Sequence, residues 1–245
     1  MRAGAANPCA MVSSANILTD IPVCFETEEL LLRLRVDRDS PDAQQLRDLV
    51  DRVRSVARPK AACGQWYVGA KGTETVEIGR VTFTSRVLRV NLEHAHRVFP
   101  YLATCGREID ALGETLDDPL QRYWLDELKM VALGAASARV RQHIEQTYRP
   151  GKTSAISPGS LRDWPITQQR PLFSLFGDAA ARIGVTLTDS FLMVPTKSVS
   201  GIVFPTEVSF ESCRLCPRPD CPGRRAEYDP NLWEQRYAEK PARCG

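Results

Sequence analysis

The fold is decided by residues 183–205, which read IGVTLTDSFLMVPTKSVSGIVFP. Gly184 takes up the left-handed backbone that ends helices at low cost, so a helix running into this stretch stops there. Beyond it, Val185–Val194 and Ser198–Pro205 are dense in β-branched and aromatic residues and read as two strands that close the domain. Upstream, a helix is expected from Pro165, with Leu172, Phe173, Phe176, Ala180 and Ile183 facing inward. Residues 149–164 form a Pro/Gly/Ser-rich loop of a length that is usually functional or mobile.

Further out, Asp118-Pro119 supplies a cap and a first-turn proline for a long helix running to about Tyr148. Its expected apolar face is Leu120, Trp124, Leu128, Val131, Ala135 and Ala138. Gly134–Ala138 is a run of small residues that admits close approach. Residues 61–104 read as strands at Trp66–Val68, Val76–Ile78, Val81–Phe83 and Val98–Leu102, with a short helix over Ser85–Glu93. Ser40-Pro41 opens another helix, carried by Leu46, Leu49, Val50, Val53 and Val56 and ending before Pro59. Strands and long helices mix without βαβ alternation, which predicts an α+β fold. The expected units are a mobile N-terminal tail (1–20), one α+β domain (21–211) and an extended Cys-rich tail (212–245).

The chain has 245 residues, 43% hydrophobic and 25% charged, with 32 Lys+Arg against 30 Asp+Glu. This balance argues against nucleic acid or a membrane surface as the main partner. With no long apolar run, the expectation is a cytoplasmic protein without a membrane span. There is no nucleophile elbow, P-loop, dinucleotide fingerprint or HExxH motif, so hydrolase and nucleotide readings fail. His94 and His96 would share a strand face, a geometry compatible with metal, but read better as surface residues. Lys197, Ser198 and Ser200 read as a polar strand edge.

The cysteines are more pointed. Cys213, Cys216 and Cys221 fall within nine residues as C-x-x-C-x4-C, with prolines after the second and third. Clustered thiols suit a soft metal or cluster. One CxxC plus a single cysteine fits an iron–sulfur cluster better than a structural zinc, which wants two ligand pairs. Zinc and no metal remain the alternatives. For a fourth ligand the best candidate is Cys105, at a strand end before a glycine; Cys244 is a rival. Arg214, Arg218, Arg224 and Arg225 surround the thiols, where they would stabilise thiolates, dock an acidic partner or be solvated.

The order of Ser157-Pro158-Gly159, a helix, Ile183–Met193, Pro195 and Ser198-Val199-Ser200-Gly201 resembles the reactivation domain of cobalamin-dependent methionine synthase, over roughly residues 105–204. The chain resembles stand-alone relatives of that domain with a C-terminal cysteine motif. The resemblance implies a curved antiparallel sheet with packed helices and a corrinoid-dependent methyltransferase as partner, which carries the cobalamin. It also implies binding of S-adenosylmethionine and return of cob(II)alamin to service by one-electron reduction and methylation. The family's turn reads R-x-x-P-G-Y; here Ala155 and Ser160 stand at its arginine and tyrosine, which removes a charge-assisted contact. The pocket residues carried over are Ser157, Gly159, Ser160, Ser198 and Ser200, with Asp163 and Trp164 nearby. Joined to the cysteine tail, this reads as an accessory protein that donates an electron to a corrinoid through a cluster. The other reading is a non-enzymatic S-adenosylmethionine- or corrinoid-protein-binding module with a structural zinc.

Overall fold

The computed structural model describes residues 15–238. The short strand β1 (Asn16–Leu18) is followed by α1 (Thr27–Leu34) and α2 (Pro41–Val56). As the sequence predicts, Ser40 caps α2, its hydroxyl accepting the Ala43 N–H at 3.3 Å. Four strands come next: β2 (Lys60–Cys63), β3 (Trp66–Lys71), β4 (Thr75–Ile78) and β5 (Val81–Thr84). The β4–β5 turn places Gly79 and Arg80 both at positive φ, 55° and 71°, the twist that a two-residue hairpin requires. Then follow α3 (Arg86–Asn91), β6 (Arg97–Thr104), α4 (Arg107–Glu114), α5 (Pro119–Tyr148) and β7 (Thr153–Ile156). The chain goes on through a 3-10 turn to α6 (Gln169–Ser174), α7 (Ala179–Arg182), β8 (Thr186–Leu187), β9 (Met193–Val194) and β10 (Ser198–Pro205).

The main sheet has eight strands, and every pairing in it is antiparallel. Its axis is β6. On one side β10 pairs with β6 from Val203↔Phe99 to Ser198↔Thr104, and β7 pairs with β10 beyond it. The other edge of β6 is shared: β2 takes Tyr101–Thr104 and β3 takes Arg97 and Val98. Two strands leaving one edge in succession split the sheet into two arms, with β4 and β5 following β3.

Side-chain alternation along β6 divides the core. Val98 and Leu102 enter a core with Trp66, Phe83, Trp164, Phe176 and Phe204. Phe99 and Ala103 face α5 with Val140 and Ile144. A third cluster between α1, α2, α4 and α5 holds Leu31, Leu46, Trp124, Leu128 and Cys105.

Several expectations are corrected. The helix expected from Pro165 to Gly184 is broken at Gly177, which sits at φ +55°. The strand expected over Val185–Val194 is the separate two-stranded ribbon β8–β9; its turn is held by Thr188, whose hydroxyl accepts the Leu192 N–H at 3.0 Å. β7 occupies part of the expected loop, and α1 and α4 were not anticipated. The buried face of α5 is Trp124, Leu125, Leu128, Ala132, Ala136, Val140 and Ile144, with Leu120 and Ala138 exposed. Within the span read as a mobile N-terminal tail, β1 is paired to β2; residues 1–14 lie outside the described residues, as does Cys244 in the last seven.

The tail expected to be extended packs onto the first core. Leu232 and Tyr237 are buried, Tyr237 at 1% exposure, and the Arg86 guanidinium donates to the Tyr237 carbonyl at 2.9 Å. No helix among the described residues is long and apolar enough to cross a membrane.

Candidate functional site

The turn Ser157-Pro158-Gly159-Ser160 leaves the end of β7. Proline at its second position and Gly159 at φ +81° make it type II, and the Ser160 N–H donates to the Ser157 carbonyl at 3.1 Å. The Ser160 hydroxyl donates to the same carbonyl at 2.6 Å, so its side chain is spent inside the turn. Gly159 N–H reaches the Trp164 carbonyl at 2.8 Å, fastening the turn to the segment after it. That segment carries Asp163, whose carboxylate accepts from the Ser85 hydroxyl and from the Val87 N–H at 2.9 Å. Asp163 is therefore committed to the N-terminus of α3.

Gly201 lies opposite Tyr101 in the β10–β6 register. A Cβ there would stand 2.7 Å from the Ile156 carbonyl oxygen, 2.8 Å from Ser157 Oγ and 3.0 Å from the Tyr101 ring. The glycine lets the tyrosine and the turn close on the strand. Burial pushes the Tyr101 phenol above its ordinary pKa, against a downward pull from Ser157, Arg141 and Arg225.

The carried-over residues do not form one pocket. Ser157 meets Tyr101 and Gly201 on the α5 side of the sheet. Ser200 is buried on the opposite side, accepting from the Gln169 amide at 3.1 Å. Ser198 donates to the Pro195 carbonyl at 2.7 Å, and its hydroxyl oxygen lies 2.9 Å from Thr104 Oγ1. His94 and His96 are not on a strand; both are exposed in the α3–β6 turn, at a cavity of about 740 Å³ shared with Arg97, Lys152 and Arg236.

Cys213, Cys216 and Cys221 all lie half-buried in one loop. The Cys216 N–H donates to the Cys213 carbonyl at 3.2 Å, which closes the CxxC turn. Cys213 Sγ receives the Arg225 N–H at 3.5 Å, and this contact is the main cause that lowers its pKa. The four arginines, left unranked by sequence, separate here. Arg214 pairs with Asp229 at 2.9 Å and Arg225 with Glu211 at 3.3 Å, while Arg218 is exposed and Arg224 binds the loop's own backbone.

Cys105 does not join them. It is buried among α2, α4 and α5, on the other face of the sheet from Cys216, and burial pushes its thiol up to about 12. The donor set of the loop is one that a thiophilic metal accepts. Among the described residues, however, no three His, Cys, Asp or Glu side chains converge in a group that could hold a metal ion.

The segment after the turn and the cysteine loop share a groove. Leu161 and Arg162, just after the turn, form one wall of a groove of about 550 Å³; Leu215, Pro217, Tyr228 and Trp233 form the other. Among the wall residues from the tail, Leu215 lies inside the CxxC and Pro217 directly follows it.

Residues 136–211 match the model of the family described as the vitamin B12 dependent methionine synthase activation domain. The match is confined to this stretch. It contains the end of α5, the type II turn, Gly201 and the whole of β10, and it stops just before Cys213. The same fold is found in a crystal structure of the MetH reactivation domain bound to AdoHcy, with a TM-score of 0.57 and 17% identity, covering 82% of this chain and 81% of that one. A comparison with curated proteins gave no match. The activation-domain fold thus bears out the expected α+β class with its antiparallel sheet and packed helices.

Tyr101, Tyr228 and Trp233 were missed at the sequence level. Gly201 opposite a strand aromatic was the available signal for the first; the other two sit in the tail without any periodicity.

Proposed function

We propose that the protein is an accessory to a corrinoid-dependent methyltransferase and returns its cobalamin to service by reduction. The observation that supports this is the groove between the segment after the turn and the cysteine loop, which puts a thiol-rich redox candidate beside residues of the matched stretch. The reaction is a one-electron step. Cob(II)alamin on the partner, the substrate, would gain one electron to become cob(I)alamin, the electron coming through the tail from an external reductant. Cys213, Cys216 and Cys221 would hold that donor as an iron–sulfur cluster. The fourth position falls to a ligand other than Cys105.

A second reading has its own observation. The structural neighbour carries AdoHcy, so an S-adenosyl ligand at the turn, with zinc as a clip in the tail, is the alternative. Ala155 and the inward-turned Ser160 count against the contacts expected at that turn.

Anaerobic purification followed by iron, sulfide and zinc analysis separates the two. Iron with sulfide, and an absorption that dithionite bleaches, support the redox reading. Cys216→Ser should then stop electron transfer to a cob(II)alamin-loaded corrinoid protein. Colourless protein with about one zinc per chain, or undiminished transfer by Cys216→Ser, overturns it.

A further inference from the structure

Three cations from segments far apart in sequence gather at the end of the sheet where β6 and β7 begin and β10 ends. Arg97 opens β6, Lys152 stands just before β7, and Arg236 comes from the tail. All three line the cavity of about 740 Å³ at which His94 and His96 are exposed. This cavity lies at the opposite end of β7 from the Ser157 turn and shares no residue with the groove between Leu161 and Trp233.

Each cation is held by neutral groups. The Arg97 guanidinium donates to the Gln65 side-chain oxygen at 3.1 Å and to the Tyr148 carbonyl at 3.0 Å, and it stands over the Phe99 ring. Arg236 donates to the Asn91 side-chain oxygen at 3.0 Å and stands over the Tyr237 ring. Lys152 donates to the Glu207 carbonyl at 3.2 Å. Among the described residues none of the three is paired with a carboxylate. A guanidinium carries five N–H donors, so these contacts fix the two arginines and leave most of their donors unspent. The carboxylates at the cavity are Glu93 and Glu207. Glu93 is paired with Arg89, and Lys71, whose ammonium donates to the Glu93 carbonyl at 2.6 Å, adds a further positive charge beside it. The cavity is therefore electropositive in a chain whose overall charge is nearly balanced.

We propose that this cavity binds a small organic phosphate, its phosphoryl group between Arg97, Lys152 and Arg236 and its organic body against Val90, Pro150 and Pro205. A phosphate monoester carries close to two negative charges and three strong acceptor oxygens, which match three cations arriving from three segments, whereas a carboxylate offers two oxygens in one plane. The volume falls in the range of small-molecule sites and exceeds what a bare phosphate fills, and the apolar wall gives the remainder a use. The proposal is independent of the redox reading above.

The test is isothermal titration calorimetry of the full chain at low ionic strength, with phenyl phosphate and inorganic phosphate as probes. Phenyl phosphate should bind at one site, about 10-fold more tightly than inorganic phosphate. Lys152→Gln and Arg236→Gln should each weaken it about 10-fold, with the circular dichroism of the wild type; Lys152 is exposed, so its variant decides the matter if Arg236→Gln does not fold. Glu207→Gln, which removes an opposing carboxylate, should tighten binding, a gain that structural damage does not produce. Arg218→Gln, which loses an exposed cation of the cysteine loop, should bind as the wild type does. A wild type that does not bind phenyl phosphate, or a folded Lys152→Gln that binds it with wild-type affinity, overturns the proposal. Equal weakening by Arg218→Gln makes the effect one of overall charge, and equal affinity for the two probes leaves an anion site without an organic body; either result also overturns it.

Discussion

At the scale of single residues, the clearest consequences come from groups that have one job. Asp163 ties the segment after the family turn to the start of α3, where Ser85 is the N-cap and also accepts the Leu88 N–H at 2.9 Å. Asp163→Ala leaves the Val87 N–H and the Ser85 hydroxyl without their partner and should cost about 1–3 kcal/mol, read from urea unfolding midpoints; Asp163→Asn, which keeps an acceptor, should recover most of it. Gly201→Ala meets the Ile156 carbonyl oxygen, a backbone atom that cannot swing aside, at 2.7 Å. It should destabilise by about 1–3 kcal/mol and blunt whatever activity the turn supports. The buried thiols set a pH dependence. Cys63 and Cys105 are both pushed by burial from 9.0 up to about 12. A group whose pKa is raised by folding stabilises the fold below its unfolded value and loses that contribution as pH climbs to the folded one. Stability should therefore fall between about pH 9 and about pH 12, and Cys63→Ala should flatten that decline in unfolding midpoints measured across the window.

Among the elements, α5 shows why a correct helix can carry a wrong face. Its ends were legible from Asp118-Pro119, and the Asp118 carboxylate indeed accepts the Leu120 N–H at 2.8 Å. The expected face mixed steps of three and four residues, which holds one straight stripe. From Trp124 the observed one advances by four at each step to Ile144, with Leu125 buried beside the first. Each such step turns about 40° further round the axis, so the buried stripe winds from the α1–α2–α4 cluster to the sheet. No local pattern states that a helix serves two cores in succession. The small-residue run divides accordingly: Gly134 has open space where a Cβ would sit, whereas Ala136 is fully buried. Gly134→Ala should stabilise by about 0.5–1 kcal/mol, and Ala136→Leu should cost about 1–3 kcal/mol, with opposite shifts in thermal midpoint. For β8–β9, Thr188-Asp189-Ser190 is turn chemistry embedded between β-formers, and the composition of the flanks hid it.

Across the whole molecule, the sequence separated a domain from a tail where the structure joins them. The reason lies in how few residues do the joining. Leu232 and Tyr237 are five positions apart in a segment rich in arginine and proline, too sparse to form a period, yet both enter the core that also holds Trp66 and Phe204. Phe210, just before the cysteines, is buried as well, its N–H donating to Ser154 Oγ on β7 at 2.8 Å. The placement of Cys105 failed for a related reason. Its alternation with Leu102 along β6 was readable, but which face the tail covers is a property of the assembled sheet. The tail thus adds to stability as well as carrying the thiols. Burying two large apolar side chains contributes roughly 1.5–3 kcal/mol each, a large part of the roughly 5–15 kcal/mol by which domains are stable. A chain ending at residue 211 should therefore unfold at a much lower urea concentration than the full chain, and Tyr237→Ala in the full chain should reproduce about half of the loss. Equal midpoints for the shortened and full chains would make the tail an independent appendage, and the groove between Leu161 and Trp233 would then have no fixed second wall.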